Sequence, residues 1–238
     1  MKVAVLGDIH GNIAALEAAY EVASASGFDK IYHLGDLGGY APFINEVADF
    51  LAARGIEGVQ GNYDEAVAQD REHCGCRYEN ALQAEMMDRG FNWTKEHATV
   101  RTKEYLKSLP FEIAFTCEGF KVKIFHASPL KNNLYWRADR DDDFFGQMGR
   151  KAEADVMIYG HTHVPYRKDL GGRVFINAGS VGKPKDGDSR GCVALVEILP
   201  GAVNTEFLRF KYDVEGAAKA VRESGLPGYF ADSLLEGK

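Results

Sequence analysis

Five short polar motifs lie between residues 8 and 163, and each directly follows an apolar run. They are Asp8-Ile9-His10, Gly35-Asp36, Gly61-Asn62, Phe125-His126 and Gly160-His161-Thr162-His163. Carboxylate, amide and imidazole groups bind divalent cations without any thiolate. Open α/β sheets place their ligand sites at strand ends, so motifs that follow strands are expected to converge. The seven candidate metal ligands are Asp8, His10, Asp36, Asn62, His126, His161 and His163.

The number and spacing of these ligands predict two metal ions. Seven ligands are too many for one tetrahedral zinc, but they suit two ions that share a bridging carboxylate. In an extended segment, side chains two residues apart share a face, so Asp8 with His10, and His161 with His163, are each expected to grip one ion. Two cations about 3.5–4 Å apart can clamp a phosphoryl displacement and lower the pKa of water to about 7. We expect two divalent ions per chain, manganese first, with iron, zinc, nickel or cobalt as alternatives.

Each motif also has a structural explanation when it is taken alone. An isolated Asp-x-His is more often structural than metal-binding, and Gly-Asp before a loop is usually a turn. Five such motifs in order, most of them flanked by glycine, are difficult to explain as turns. Glycine there would let backbone and ligands pack closely around ions. The joint occurrence therefore favours a metal site.

The segments between the motifs have the periodicities of an α/β fold. Strands are predicted at residues 3–6, 31–34 and 56–60, separated by helices that run from the cap at Asn12 to Gly27 and from Pro42 to Gly55. Further strands are predicted at residues 113–115, 122–125, 156–159, 174–176, 193–198 and 205–210. Their close spacing and glycine-rich turns predict antiparallel pairing. One domain over residues 1–238 is the simplest organisation, with a helical insertion at about 65–109 and a helical tail at about 213–238.

Composition narrows the function classes. The chain has 238 residues, 45% of them hydrophobic, and a net charge of −7. This acidic balance disfavours nucleic acid as a partner, and no apolar run is long enough to span a membrane. Four cysteines without framework spacing, and no recognisable leader, lead us to expect a cytoplasmic protein. A small phosphoester is the expected partner, and a homo-oligomer is left open.

The ordered motifs resemble those of the calcineurin-like metallophosphoesterase superfamily, and residues 177–187 and 213–227 resemble its small bacterial and archaeal branch. The resemblance implies an αββα sandwich, that is, two mixed β-sheets flanked by helices. It also implies that Asp36 bridges the two metals and that a metal-bridging hydroxide attacks the phosphorus of a phosphodiester or phosphomonoester, nucleotides included. Asp36, Asn62, His126 and Tyr63 would be the catalytic residues. By the same resemblance, the first metal is held by Asp8, His10 and His163, and the second by Asn62, His126 and His161.

One position departs from the pattern of the family. Many members have histidine where this chain has Tyr63, and that histidine assists the leaving group. Phenol, with a pKa near 10, shuttles protons less readily than imidazole does near 6.5. We therefore expect a preference for activated or diester substrates, a role for Tyr63 as a hydrogen-bond donor, or an acid from elsewhere, such as His73 or His97.

Other residues have both a functional and a structural interpretation. Asn12 either caps the first helix, contacts the phosphate, or does both. Lys183, Lys185 and Arg190 either bind substrate or are solvated surface charges. Trp93, Tyr135 and Trp136 either stack on a base or pack internally, and the segment His73-Cys74-Gly75-Cys76 is either a metal or redox element or a plain loop.

Three alternative functions accompany the hydrolase hypothesis. A non-catalytic metal or phosphate sensor would keep the ligands without turnover, and the tyrosine at position 63 leaves this open. A protein Ser/Thr phosphatase is less favoured because the segment from Gly35 to Tyr40 contains no arginine. A nuclease is disfavoured by the acidic charge.

Overall fold

The computed structural model describes residues 1–78 and 80–238 and contains two five-stranded β-sheets flanked by helices. The predicted αββα sandwich of two mixed sheets is confirmed. The strands are β1 Lys2–Leu6, β2 Lys30–His33, β3 Glu57–Gly58, β4 Glu112–Cys117, β5 Phe120–Phe125, β6 Val156–Tyr159, β7 Tyr166–Leu170, β8 Arg173–Asn177, β9 Gly191–Leu199 and β10 Ala202–Phe210. The helices are α1 Ile13–Ser26, α2 Ile44–Ala53, α3 Asn62–Ala68, α4 Ala81–His97, α5 Val100–Ser108, α6 Asp142–Ala152, α7 Val214–Glu223 and α8 Gly228–Glu236.

The first sheet has the strand order β10-β9-β1-β2-β3. Strands β1, β2 and β3 are parallel, because helices α1 and α2 connect them as crossovers, whereas β9 runs antiparallel to both β1 and β10. The strand predicted at residues 56–60 shrinks to Glu57–Gly58 at the edge of the sheet. The carboxyl ends of the three parallel strands therefore meet at one edge of the sandwich.

The second sheet has the order β4-β5-β6-β8-β7 and corrects one prediction. Antiparallel pairing was expected throughout the second half of the chain, but β5, β6 and β8 are parallel neighbours. The helix α6 forms the crossover from β5 to β6, and β7 forms the connection from β6 to β8. Strand β7, with the sequence Tyr-Arg-Lys-Asp-Leu, was missed because an edge strand need not alternate apolar with polar residues.

Alternating side chains on the central strands form three apolar layers. Val3 and Val5 face the space between the sheets, where they join Ile158 of β6. Ala4 and Leu6 point the other way, towards α1, α2, α7 and α8. A third layer lies between α6 and the outer face of β5, β6 and β8, around Phe125, Trp136 and Phe145. Strand β1 is buried on both faces, as its unbroken apolar run predicts.

Helices α3, α4 and α5 occupy the region predicted as a helical insertion at about 65–109. Residue 79 of that region lies outside the described residues. Phe91 of α4 packs edge-on against Tyr63 of α3, with ring centroids 5.4 Å apart. Gly90 of α4 lies against Phe230 of α8, so α4 joins the N-terminal half of the chain to the tail. That residues 1–238 form one domain, and that this region is an insertion, stay predictions.

The first helix begins and ends as its sequence predicts. The Asn12 side chain accepts a hydrogen bond from the amide of Ala15, and Gly27 ends the helix at φ +71°. Among the described residues, no helix has both the length and the apolar character that spanning a bilayer requires.

We predict opposite effects for two glycine-to-alanine substitutions inside helices. Alanine at Gly146 of α6 meets only the tip of Arg150 at 3.4 Å, so it should raise the free energy of unfolding by up to about 1 kcal/mol. Alanine at Gly90 would overlap the Phe230 ring, so it should lower the free energy of unfolding by about 1–3 kcal/mol. Urea unfolding measures both variants, and equal stabilities would contradict the close packing of α4 on α8.

Candidate metal centre

Six buried side chains from the polar motifs form two groups of three. Within each group the ligand atoms lie within 4.8 Å of one another. The groups draw on the carboxyl ends of β1 and β2 in the first sheet and of β5 and β6 in the second, so the site lies where the two sheets meet at one edge. The first group is Asp8, His10 and His163, and the second is Asp36, His126 and His161.

Ring nitrogens and oxygens face one another at short range within each group. In the first, Nε2 of His10 lies 3.1 Å from Nε2 of His163, which is 3.6 Å from Oδ1 of Asp8. In the second, Nε2 of His126 lies 3.2 Å from Nδ1 of His161. Asn62, at the start of α3, places its Oδ1 3.1 Å from the same His126 nitrogen. All seven candidate ligands therefore lie in one buried cluster.

The Asp36 carboxylate lies between the two groups. Its Oδ2 is 3.7 Å from Nε2 of His10 and 3.6 Å from Nε2 of His126. Its other oxygen, Oδ1, accepts a hydrogen bond of 2.9 Å from the backbone amide of Tyr63. One carboxylate oxygen is thus directed to both groups while the second oxygen fixes the orientation of the side chain.

The backbone of the ligand segments is not extended, which corrects the pairing of His161 with His163 predicted from their two-residue spacing. His161 faces the second group and His163 the first, so these two histidines do not share one ion site. Asp8 and His10 do share a group, but both have positive φ. Of the eight non-glycine residues with positive φ in the described part of the chain, five are candidate ligands: Asp8, His10, Asp36, His161 and His163. Each such conformation costs about 1–3 kcal/mol, and such strain concentrates at functional sites.

Backbone carbonyls set the protonation of three of the imidazoles. Nδ1 faces the carbonyl of Gly38 in His10, of Lys183 in His163 and of Leu34 in His126, at 2.7, 2.5 and 2.7 Å. A nitrogen that donates to a carbonyl carries the proton, so Nε2 presents its lone pair to the centre. In the first group two such lone pairs face each other at 3.1 Å. A cation between them would turn this repulsion into ligation, so the donor set fits a metal.

Burial raises the pKa values of the two candidate carboxylate ligands and lowers those of three of the imidazoles. Desolvation raises the pKa of Asp8 to about 7, although the hydrogen bond from the His161 amide opposes this shift, and it raises that of Asp36 well above the usual range. Desolvation also lowers the pKa of His10, His161 and His163 well below 6.5, which keeps these imidazoles neutral. Neutral imidazole and ionised carboxylate are the metal-binding forms, and a bound cation would offset the burial of the two carboxylates.

Asp64 is a positioning residue that lies outside the predicted site residues. Its Oδ2 accepts hydrogen bonds from the backbone amides of Asp36 and Gly61 at 2.8 and 2.9 Å, and its Oδ1 accepts one from Leu37 at 2.8 Å. Desolvation raises the pKa of Asp64, and these amides act against that rise. The side chain therefore ties the loop after β2 to the loop after β3. An acidic residue in the first turn of a helix was the available sequence signal.

Two glycines allow the carboxylates to approach the backbone. A Cβ on Gly61 would overlap Oδ1 of Asp36, and a Cβ on Gly160 would overlap Oδ2 of Asp8. The amide of His161 then donates to Oδ2 of Asp8 at 2.9 Å. In the same region the Ser180 hydroxyl donates to the carbonyl oxygen of Asp8, a contact that sequence alone did not suggest.

A cavity of about 50 Å³ opens onto the cluster between α4 and the loops. Tyr63 lines it, and its buried hydroxyl has no hydrogen-bond partner. Lys185 also lines the cavity, with its ammonium 3.3 Å from the Tyr40 hydroxyl. Tyr135 also faces the cavity and tilts over His161 with ring centroids 4.4 Å apart. A groove of about 470 Å³ adjoins Asn62 on the other side of the loop that contains His73.

Three residues that were predicted to contact the substrate do not line this cavity: Asn12, Lys183 and Arg190. Asn12 uses both amide atoms within the protein, as the cap of α1 and as donor to the carbonyl of Gly182. The Lys183 ammonium contacts the main-chain oxygen of Lys238, and Arg190 is exposed and paired with Asp188. Neither side chain lines the cavity, whereas Lys185 does.

The aromatic residues and histidines that had two interpretations in the sequence lie in different environments. Trp136 is buried in the layer beneath α6, so it packs internally and does not stack on a base. His97 is exposed and stacks on Trp93, with ring centroids 3.8 Å apart. His73 lines the groove but not the cavity.

The chain is similar to known proteins over most or all of its length. The model of the calcineurin-like phosphoesterase superfamily domain matches residues 1–200. The uncharacterized protein MJ0912 of Methanocaldococcus jannaschii is 28% identical, over 99% of this chain and 98% of its own. A metallophosphoesterase from Sphaerobacter thermophilus is 26% identical with a TM-score of 0.79, covering 100% and 99% of the two chains. The hypothetical protein PH1004 of Pyrococcus horikoshii shares the fold, with a TM-score of 0.84 at 21% identity over 100% and 98%.

We predict that Asp64→Asn weakens both the fold and the metal centre. An amide in place of the carboxylate would turn an N–H towards a backbone amide, leaving buried donors unsatisfied at a cost of about 3 kcal/mol. The measurements are urea unfolding and a Mn²⁺ titration. The matched control is Asp141→Asn at the cap of α6, which should stay within about 0.5 kcal/mol of wild type. Equal behaviour of the two variants would contradict the positioning role.

Proposed function

Because the chain belongs to the calcineurin-like phosphoesterase superfamily, we propose that it hydrolyses small phosphodiesters or phosphomonoesters, nucleotides among them, with two divalent cations. The family match and the Sphaerobacter metallophosphoesterase confirm the expected class, a hydrolase of phosphoric esters. The observation that carries the two-metal proposal is the position of Asp36. One of its oxygens lies within 3.7 Å of a histidine from each group.

The proposed ligand sets follow the two groups. Asp8, His10 and His163 would hold one cation, and Asn62, His126 and His161 the other. Asp36 would contact both. Bound there, divalent cations would supply a Lewis acid that polarises the phosphoryl group and lowers the pKa of water. Manganese is the proposed ion, with iron, zinc, nickel and cobalt as alternatives.

Residues that line the cavity would assist the leaving group, bind the phosphate and exclude water. The Tyr63 hydroxyl, buried without a partner, would donate a hydrogen bond to the departing oxygen of the ester. Burial holds the pKa of Tyr63 well above 10, so the proton is present at neutral pH. The Lys185 ammonium would bind a non-reacting phosphoryl oxygen. Helix α4 would shield the reaction from bulk water through Met87.

The other functions receive less support. A non-catalytic sensor would not need a proton donor for a leaving group, such as the unpartnered Tyr63 hydroxyl on the cavity wall. The loop from Gly35 to Tyr40 supplies no arginine to a phosphoprotein, and the net charge of −7 disfavours a nucleic-acid substrate. A cytoplasmic location and a homo-oligomeric state remain predictions from the sequence.

We predict that metal and Asp36 are both required for turnover. Protein stripped of metal should not hydrolyse a chromogenic monoester or diester, and reloading with Mn²⁺ should restore activity. Asp36→Asn should abolish turnover in the reloaded protein, because an amide is a poor bridge between cations. The matched control is Asp139→Asn, an exposed aspartate that should retain wild-type rates. Full activity of stripped protein or of Asp36→Asn would contradict the proposal, and metal binding without turnover on either ester would favour the sensor.

We predict that the Tyr63 hydroxyl acts on the leaving group. Tyr63→Phe keeps the packing against Phe91 but removes the donor, so kcat for an alkyl ester should fall by about 10–100-fold while KM changes little. A substrate with a strongly activated leaving group needs no such help and serves as the control. An equal loss on both substrates would contradict this role.

A further inference from the structure

Two thiols face each other in the loop between α3 and α4. Cys74 is buried and Cys76 is half-buried, with one glycine between them. Their sulfur atoms lie in hydrogen-bond contact at 2.7 Å. The other two cysteines are far away in sequence, Cys117 in β4 and Cys192 in β9. The two-metal proposal uses none of these four thiols.

The protein holds this loop from both sides. Gly75, between the two cysteines, has φ +75°, and Asn133 donates to its carbonyl at 3.2 Å. From the opposite side, the Asn62 amide nitrogen donates to the carbonyl of Cys74 at 2.9 Å and to the sulfur of Cys76 at 3.3 Å. The close approach of the sulfur atoms is therefore part of an anchored structure.

The loop also forms the wall between the two cavities. Cys76 lines the cavity over the metal groups, and Cys74 lines the larger groove beside Asn62. Cys76 is the more exposed of the two, so a reagent that approaches from solvent reaches its sulfur first. The same Asn62 that contacts both cysteines offers its oxygen to the second metal group.

We propose that Cys74 and Cys76 form a reversible disulfide by exchange with a small disulfide such as oxidised glutathione. The sulfur of Cys76 attacks one sulfur of the reagent and releases one thiol, leaving a mixed disulfide on Cys76. The sulfur of Cys74 then attacks the Cys76 sulfur, closes the bond within the loop and releases the second thiol. The protein loses two protons and two electrons, and the reagent takes them up and becomes two thiols.

Closing this bond changes the partner of a candidate metal ligand. The Asn62 amide then faces a disulfide sulfur instead of a thiol, and the loop that it anchors is cross-linked. We expect the second cation to bind more weakly to the oxidised protein. This consequence rests on the proposed two-metal site, whereas the thiol chemistry does not.

Intact-mass analysis of the full chain tests the thiol chemistry. Reduced wild-type protein incubated with oxidised glutathione should lose two hydrogen masses, and digestion should place this loss in the single peptide that contains both Cys74 and Cys76. Cys74→Ser should instead keep one glutathione adduct on Cys76, because no second thiol can displace it. Cys117→Ser should close the bond as wild type does. Unmodified Cys74 and Cys76, or stable adducts on wild type, would overturn the proposal.

A Mn²⁺ titration of the oxidised and reduced forms tests the coupling to the metal centre. Weaker binding of one of two ions in the oxidised form, reversed by a reductant and absent from the double variant Cys74→Ser/Cys76→Ser, is the expected result. Identical titrations of the oxidised and reduced wild type would overturn the coupling to Asn62.

Discussion

The burial of two carboxylates beside four imidazoles is the constraint on which the rest of the structure depends. Asp8 and Asp36 are almost inaccessible to solvent, and desolvation raises the pKa of both. Buried charges need compensation, and desolvation lowers the pKa of His10, His161 and His163, so these three imidazoles stay neutral and do not supply it. Divalent cations would supply the missing positive charge. A chain with a net charge of −7 can thus present a cationic site to a phosphate.

The β-sandwich brings the candidate metal ligands together. Parallel strands deliver their carboxyl ends to one edge, and the ligands come from both sheets, so neither sheet alone could form the site. The turns that follow the strands are strained, with positive φ at five candidate ligands. Asp64 offsets part of this cost by joining two of the loops through three backbone amides. The rigid sheets hold the strained loops in the conformation that the site requires.

The spacing of the motifs predicted that these side chains come together, but not how they divide into two groups. Each motif follows an apolar run, so its place at a strand end could be inferred, and the layered α/β class followed from the same runs. The separation of His161 from His163 followed only from the family resemblance and not from their spacing, because a left-handed backbone at both positions breaks the two-residue rule of extended strands. The parallel pairing of β5, β6 and β8 was missed since a helical crossover and an edge-strand excursion intervene. The choice of Lys185 over Lys183 and Arg190 at the cavity depends on loop conformation, which composition does not encode.

The central claim is that Asp36 joins two cations in one site, and electron paramagnetic resonance of metal-stripped protein titrated with Mn²⁺ tests it most directly. Two ions that share a carboxylate have coupled electron spins. The account predicts that binding saturates at two ions per chain and that the spectrum of the saturated protein is that of a coupled pair. Saturation at one ion per chain, with the spectrum of an isolated Mn²⁺, would contradict it.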